Sequence, residues 1–281
     1  YKLFEDAGYA IADTRAEIEA LGSGSGKVYA VSPTLAKLGA LPFAIDAKEG
    51  DVTLADFVSA GIRVLDGEDG FFLMCEGGKI DWSCHANDAA TTVQEVLAFA
   101  DAVQVAVDFA SAHPDETLIV VTADHETGGM SVGYAATAYA TEMGLLKHQK
   151  VSYSLFKDIA AGMLKENPEM TLDGMMPVIG QYFGLYPKSD ASKAKSKALV
   201  LSSREYGLIE EAFAATKGGS AGDEWTDLLY GSYDPLTVTL TRILGNKAGV
   251  GWTTYAHTGL PVPVYAMGAG AEHFCGFYHN T

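Results

Sequence analysis

The sequence predicts an α/β fold, with a mainly parallel central sheet flanked by helices and a helical insertion. Strand and helix patterns alternate over residues 1–143, fade between 144 and 250, and return in Val262–Met267. This β-α-β order is typical of a parallel sheet with helices on its faces. The net charge of −17 supports the same division, since residues 144–250 hold 12 acidic and 12 basic side chains. We therefore predict an α/β core in 1–143, an insertion in 144–250 and a return to the core in 251–281.

The first elements are short. Tyr9–Ala12 and Lys27–Ser32 have the apolar content of strands. Between them, Thr14 and Glu17 have capping-box spacing, which predicts a helix that ends near Gly22. Thr53 then caps a helix whose apolar residues recur at helical spacing.

Two apolar runs follow, separated by a long helix. Phe71–Cys75 is continuously apolar, as expected for a strand buried on both faces. A helix is predicted from about Asp88 to His113. Thr117–Ala123 has the clearest pattern of a buried strand in the chain.

The insertion contains two predicted helices, Tyr153–Leu164 and Arg204–Thr216. Ser202 and Glu205 form a capping-box pattern at the start of the second helix. Between the helices, Lys188–Lys197 is a polar, lysine-rich stretch that predicts a loop.

Composition excludes several classes of protein. Hydrophobic residues make up 48% of the 281 residues, enough for a full core. The 19 basic residues form no basic stripe, so we expect no nucleic-acid binding. No apolar run approaches the roughly 18 residues of a membrane-spanning helix. The three cysteines form no CxxC pair and cannot all be bridged internally.

Polar clusters stand next to three predicted strands, where ligand sites of α/β sheets form. Glu76 to His85 follows the first apolar run, Asp124-His125 follows the second, and His257 precedes the last strand. Asp81 and His85 are four residues apart, so one helical turn would bring them to one ion. Carboxylate and imidazole ligands without a thiolate suit an open, catalytic zinc site.

Each of these residues also has a simpler interpretation. Taken alone, residues such as Asp81 and His85 are more often a surface pair or a helix cap, and a dipeptide such as Asp124-His125 is more often part of a loop than a ligand pair. His257 could be a hydrogen-bonded loop histidine, and Glu76 a solvated carboxylate. Only their repeated position at strand ends favours a metal site.

Three motifs carry a resemblance to a known family. EGGKIDWSCHAND at 76–88, TADHETGG at 122–129 and HTG at 257–259, in this order, resemble the C-terminal half of an alkaline phosphatase. The resemblance covers most of 1–143 and 251–281. Residues 144–250 fall where the family carries its variable crown region.

The resemblance implies a set of metal ligands. Asp81, His85 and His257 would hold a first zinc, Asp124 and His125 a second zinc, and Glu76 a magnesium ion. Two zinc ions and one magnesium are implied for the complete enzyme, and one zinc for this chain. Trp82 would border the metals, whereas Cys84 is expected to pack.

The implied activity is hydrolysis of small-molecule phosphate monoesters, in an enzyme that is periplasmic or otherwise extracytoplasmic and commonly a homodimer. The family's nucleophilic serine lies in an Asp-Ser-Ala motif, which does not occur here. We therefore expect a C-terminal fragment that is inactive alone. The alternatives are a sister phosphodiesterase or sulfatase, and a non-catalytic zinc-binding or assembly module.

Overall fold

The computed structural model describes residues 1–219 and 224–279. Helices predominate in this part of the chain. They are α1 (Lys2–Asp6), α2 (Arg15–Ala20), α3 (Leu54–Leu65), α4 (Lys79–His85), α5 (Ala89–Ala112), α6 (Tyr153–Glu166), α7 (Leu172–Phe183), α8 (Ser203–Gly218), α9 (Glu224–Tyr230) and α10 (Pro235–Ala248). None of these helices has the length and apolar content that crossing a bilayer requires.

The strands are short and pair two by two. They are β1 (Ala10–Ala12), β2 (Val28–Ala30), β3 (Leu118–Val121), β4 (Glu126–Thr127), β5 (Ser131–Val132), β6 (Val250–Gly251), β7 (His257–Thr258) and β8 (Tyr265–Gly268). Among the described residues β1 pairs with β2 in parallel, whereas β3–β8, β4–β7 and β5–β6 are antiparallel.

The chain divides into two compact units. The first unit comprises Tyr1–Gly78, Gln94–Asp124 and Pro261–Thr281, and the second comprises Lys79–Val93 and His125–Leu260. Residues 144–250 lie within the second unit. The division into 1–143, 144–250 and 251–281 remains a prediction.

In the first unit, the capping box predicted at Thr14 and the helix cap predicted at Thr53 are both present. The Thr14 hydroxyl accepts from the Glu17 amide and starts α2, and Thr53 does the same with Asp56 at α3. These caps satisfy backbone N–H groups that have no partner inside the helix. They also orient the two helices whose apolar residues, Ile18 and Ala60, pack together in the core.

The predicted buried strand at 71–75 is wrong. No strand is assigned there, and no described residue pairs with this segment. Leu73 and Cys75 pack against a cluster on α3 and α5, while Phe72 and Met74 are 87% and 73% exposed. Only the face that carries Leu73 and Cys75 is therefore covered.

The apolar run at 117–123 does form a strand, β3, but the strand is not fully buried. Its side chains alternate between exposed and half-buried, with Leu118 and Val120 exposed. Its partner β8 shows the same incomplete burial, with Tyr265 and Met267 exposed. A continuous apolar run thus predicted the strand and overestimated its burial.

The second unit is mainly helical and has the larger core. Asp234 caps α10 and Pro235 occupies its first turn, where a missing N–H costs nothing. Leu236, Leu240 and Leu244 recur every four residues and are fully buried on one face of this helix. They share a core with three fully buried side chains of neighbouring helices: Phe156 of α6, Phe183 of α7 and Ile209 of α8.

The helices predicted at 153–164 and 204–216 are present as α6 and α8, and the Ser202–Glu205 capping box is confirmed. The lysine-rich stretch predicted as a loop contains two short 3-10 turns, at Lys188–Lys193 and Lys197–Leu199. Helices α7, α9 and α10 were not predicted from the sequence.

Candidate metal centre

The first two residues of the candidate site lie on α4. This helix has seven residues, and Asp81 and His85 are separated by one turn. Their side chains meet, with Oδ1 of Asp81 3.3 Å from Nε2 of His85. The four-residue spacing therefore produces the pair that was predicted from the sequence.

The antiparallel pair β4–β7 brings two more histidines to the same place. Thr127 of β4 lies opposite His257 of β7 in this register. The ring of His125, two residues before Thr127, stacks on the His257 ring with centroids 3.5 Å apart and planes at 20°. A short ladder thus aligns residues that are far apart in the chain.

Three of these side chains form a closed triangle. Nε2 of His257 lies 3.2 Å from Nε2 of His85 and 3.6 Å from Oδ1 of Asp81, and the His85–Asp81 distance of 3.3 Å completes it. Zinc bonds to nitrogen and oxygen of about 2.0–2.2 Å place neighbouring ligands of a tetrahedral ion about 3.3–3.6 Å apart. The triangle has the dimensions of three ligands around one ion.

His125 belongs to the same group of side chains. One ligand atom each of Asp81, His125 and His257 lies within 4.8 Å of the others. Asp81 and His85 are partly exposed and His257 is half exposed, so the group is accessible from solvent. Asp81 and His257 could therefore hold a metal together with either His85 or His125.

The protonation of His85 follows from its partner. Its Nδ1 lies 2.6 Å from the carbonyl oxygen of Tyr255. A carbonyl only accepts hydrogen bonds, so Nδ1 carries the proton. Nε2, the other ring nitrogen, faces Asp81 and His257 and is the atom that would bind a metal.

Thr127 connects Asp81 with His125. Its hydroxyl donates to Oδ1 of Asp81 at 2.6 Å, since a carboxylate can only accept. The same oxygen lies 3.2 Å from Nδ1 of His125 and is left to accept from it. His125 therefore also presents its Nε2 lone pair.

The glycines of the TADHETGG motif allow close packing behind these ligands. Gly128 has a φ of +85°, and a Cβ there would lie 2.7 Å from the Trp252 ring and 2.9 Å from the carbonyl oxygen of Cys84. Glu126 fixes the turn, because its carboxylate accepts from the Gly129 amide and the Thr258 hydroxyl. Only glycine fits at position 128.

Cys84 adjoins His85 without joining the ligand group. Its thiol is buried, with Sγ 3.8 Å from the Thr92 hydroxyl. Burial raises the pKa of Cys84 to about 11, and nearby carboxylates add to this effect. The group remains a neutral thiol at physiological pH and packs in the interior, as expected from the sequence.

Glu76 and Asp124, the other two predicted ligands, belong to the first unit. Glu76 lies in the segment before α4, where its Oε1 would be 3.0 Å from a Cβ on Gly78. Asp124 follows β3 and directly precedes His125. The ligand group of the second unit is thus made of Asp81, His85, His125 and His257.

Two residues of the site were missed by sequence reasoning. Thr127 lies within a motif that was noted for its neighbours, and Tyr255 lies two residues before His257. Their roles come from a hydroxyl and a main-chain carbonyl, and neither leaves a recognisable pattern in a sequence. The proximity of each to a predicted ligand is the one available signal.

Solved structures similar to this chain define its class. The crystal structure of a cold-active alkaline phosphatase from the psychrophile Shewanella sp. has a TM-score of 0.73 and 29% identity, covering 99% of this chain and 58% of that one. The Thermus thermophilus alkaline phosphatase has a TM-score of 0.69 and 22% identity, covering 96% and 53%. The chain therefore has an alkaline-phosphatase-like fold, and the predicted α/β class is confirmed.

The sequence comparisons give the family. The family model described as alkaline phosphatase matches residues 3–281. Alkaline phosphatase 3 of Bacillus subtilis (strain 168) is 31% identical over 281 residues, which cover 100% of this chain and 52% of the relative. Alkaline phosphatase 4 of the same organism is 30% identical over 244 residues, covering 86% and 44%. This chain belongs to the alkaline phosphatase family, and it spans about half the length of these curated relatives.

Proposed function

We propose that this chain forms the metal-binding part of an alkaline phosphatase that hydrolyses phosphate monoesters. The observation that carries the proposal is the triangle of Asp81, His85 and His257. Its three distances, 3.2, 3.3 and 3.6 Å, match those expected around one tetrahedral zinc ion. Three protein ligands leave a fourth position open, as in catalytic zinc sites.

The other ligands are assigned on the same basis. Asp124 and His125 would hold a second zinc, and Glu76 a magnesium ion. Support for His125 comes from its Nε2 lone pair and its stacking on His257. Bound zinc would supply Lewis-acid stabilisation of the charge that develops on phosphoryl oxygens.

The chain's own residues prepare the site in three ways. Tyr255 and Thr127 accept from Nδ1 of His85 and His125, so Nε2 is the ligand atom of each ring. The Asp81 carboxylate contributes a negative charge that offsets part of the charge of a cation. The partial exposure of His257 and Asp81 leaves room for a phosphate ester.

The nucleophile is proposed to come from outside these residues. No Asp-Ser-Ala tripeptide occurs among the 281 residues. Ser202 caps α8, where its hydroxyl accepts from the Glu205 amide. We therefore expect no turnover by the 281-residue chain alone.

The first experiment measures zinc per chain by elemental mass spectrometry, after equilibration with zinc and desalting. We expect close to one zinc, lost in His257→Ala and retained in the surface variant His273→Ala. Zinc bound equally by wild type and His257→Ala would contradict the ligand assignment. The complete gene product should also hydrolyse a chromogenic phosphate monoester, and the loss of that activity in Asp124→Ala should exceed tenfold.

Two alternative functions would give different assay results for the same gene product. A phosphodiesterase or sulfatase would prefer a diester or a sulfate ester over the monoester in parallel assays. A non-catalytic metal-binding module is favoured by the missing serine motif, and would bind zinc without hydrolysing any of the three. An in-frame Asp-Ser-Ala segment elsewhere in the gene would argue for the enzyme.

The setting and assembly of the enzyme are proposals as well. We propose an extracytoplasmic location and a homodimer, both by analogy with the family. Fractionation of cells would test the first. Sedimentation of the gene product would test the second, since a single species with the mass of one chain would exclude the dimer.

A further inference from the structure

Asn87 occupies an unusual position directly behind the metal ligands. It follows α4 by two residues, is fully buried and has a φ of +51°, in the left-handed region. Few residues other than glycine adopt this conformation, and asparagine is the most tolerant of them. A buried polar side chain needs hydrogen-bond partners, because leaving its polar atoms without partners would destabilise the fold.

The side-chain amide of Asn87 both donates and accepts hydrogen bonds. Its Nδ2 donates to the carbonyl oxygens of Cys84, at 3.1 Å, and Thr254, at 2.9 Å. Its Oδ1 accepts from Nε of Arg242 at 3.1 Å. Asn87 therefore joins the end of α4, the segment that leads to His257, and helix α10.

The contacts of Asn87 lead back to His85. The Arg242 guanidinium lies over the Tyr255 ring at 4.7 Å and donates to the carbonyl oxygen of Leu229 at 3.2 Å. The Tyr255 hydroxyl donates to the same carbonyl at 2.5 Å. The main-chain carbonyl of Tyr255 accepts from His85. Asn87, Arg242 and Tyr255 thus form a continuous support for the His85 ring.

The two ligand-bearing segments differ in how they are held. The segment before His257 is bonded to the Gly128 turn by backbone hydrogen bonds, from Gly128 to Ala256 and from Thr253 and Thr254 to Gly128. The end of α4 reaches this segment through side chains, His85 to Tyr255 and Asn87 to Thr254. Substitution at position 87 can therefore change the spacing of His85 and His257 while the backbone bonds persist.

We infer that Asn87 is a positioning residue that sets the separation of His85 and His257, and through it the affinity and geometry of the metal site. It does so without touching the ion. The inference rests on the metal site of the proposed function. Partners that orient metal ligands typically change metal affinity about 10–100-fold when they are removed.

The test compares three variants of the 281-residue chain with wild type. Asn87→Gly removes the amide and tolerates a positive φ, so it separates the side chain's bonds from backbone strain. Asn87→Asp retains the acceptor for Arg242 and loses the two donors. Asn167→Gly replaces an exposed asparagine of the same unit and is the matched control.

The expected result is a zinc dissociation constant about 10–100-fold higher in both Asn87 variants and unchanged in Asn167→Gly. The visible spectrum of bound Co²⁺ should also change in the Asn87 variants, because it reports coordination geometry. A merely structural role would lower thermal stability and leave the spectrum of the folded protein unchanged. Circular dichroism identifies the folded variants, and Asn87→Asp carries the test if Asn87→Gly does not fold.

Two outcomes separate this inference from the proposed function. Wild-type affinity and an unchanged Co²⁺ spectrum in a folded Asn87 variant, with zinc lost in His257→Ala, would overturn the positioning role alone. Failure of wild type itself to bind zinc above the level of His257→Ala would overturn the metal site, and the positioning role with it.

Discussion

The hydroxyl of Thr127 donates to Oδ1 of Asp81 at 2.6 Å and lies 3.2 Å from Nδ1 of His125. One buried hydroxyl thereby orients a carboxylate from α4 and an imidazole from the segment before β4. Both are proposed metal ligands. The contact gives two side chains from separate parts of the chain a common orientation.

Removal of this hydroxyl should weaken metal binding while the fold is retained. Thr127→Val has almost the same shape and loses the bonds to Asp81 and His125. We expect the zinc dissociation constant to rise about tenfold, measured by competition with a chelating dye. Thr127→Ser keeps the hydroxyl and should bind as wild type does. Equal binding by the valine and serine variants would show that the hydroxyl does not orient the ligands.

The Gly128 turn should be intolerant of any side chain. Gly128→Ala combines a positive φ with a Cβ 2.7 Å from the Trp252 ring. Strain and overpacking together should lower the free energy of unfolding by about 3 kcal/mol, measured by urea denaturation. Gly26→Ala is the control, because φ there is +64° and nothing lies within 4 Å of the Cβ. Its cost should be limited to the backbone strain of about 1–2 kcal/mol.

A smaller loss in Gly128→Ala than in Gly26→Ala would mean that the turn can move away from Trp252. The close packing behind the metal ligands would then not depend on glycine.

The ion pair of Glu205 and Lys247 should make stability depend on pH. Burial alone would raise the pKa of Glu205, but hydrogen bonds from Ser202 and Lys247 outweigh it and hold the pKa below its ordinary value. A lowered folded-state pKa stabilises the fold fully above the unfolded value of about 4.3, and this stabilisation is lost as pH falls through the folded value.

Glu205→Gln keeps the capping-box geometry and removes the charge. At pH 7 we expect a loss of about 1 kcal/mol in the free energy of unfolding, a value already reduced for the partial exposure of the pair. Below the folded-state pKa wild type is also neutral at this position, so the difference should disappear. Glu210→Gln, an exposed neighbour on α8, should show neither effect. A difference that is the same at pH 7 and at acidic pH would exclude the ion pair as its cause.

The buried carboxylate of Asp88 should resist replacement by its own amide. It accepts hydrogen bonds from the Thr91 amide and hydroxyl, from Nε2 of Gln149 and from the Tyr153 amide, at 2.7–3.0 Å. All of these partners are donors, so the NH₂ group of Asp88→Asn would face other N–H and O–H groups. We expect a loss of about 1–3 kcal/mol on urea denaturation. The control Asp101→Asn, at an exposed position, should lower the free energy of unfolding by less than about 0.5 kcal/mol. Equal losses in the two variants would show that the hydrogen bonds of Asp88 do not require a carboxylate.

Local patterns predicted part of the fold well. The predicted capping boxes at Thr14 and Ser202 and the predicted cap at Thr53 are all present, because each depends on residues three positions apart. Helix α7 was missed because Pro177 lies inside it, and α10 because its Leu-Thr-Val-Thr-Leu-Thr start has the alternation of a strand. Packing of the leucines of α10 in the core overrides that local preference.

Burial was harder to predict than secondary structure. An apolar run indicates which side chains a segment can bury, but burial also requires other elements that pack against them. At Phe72 and Met74 no described residue provides a pairing strand, and both side chains remain exposed. The number of covered faces depends on the rest of the molecule.

The sequence by itself determined the chemistry of the site, because ligand types and short spacings are local properties. Asp81 and His85 meet through a single helical turn, and their four-residue spacing already implies it. No local spacing brings His257 to this pair, and only the family resemblance grouped it with them. The tertiary structure places it there, across 172 positions of the chain, through the β4–β7 ladder. It also decided the roles of Thr127, Asn87 and the Tyr255 carbonyl. These roles depend on hydrogen bonds between distant segments, and such bonds exist only once the chain has folded.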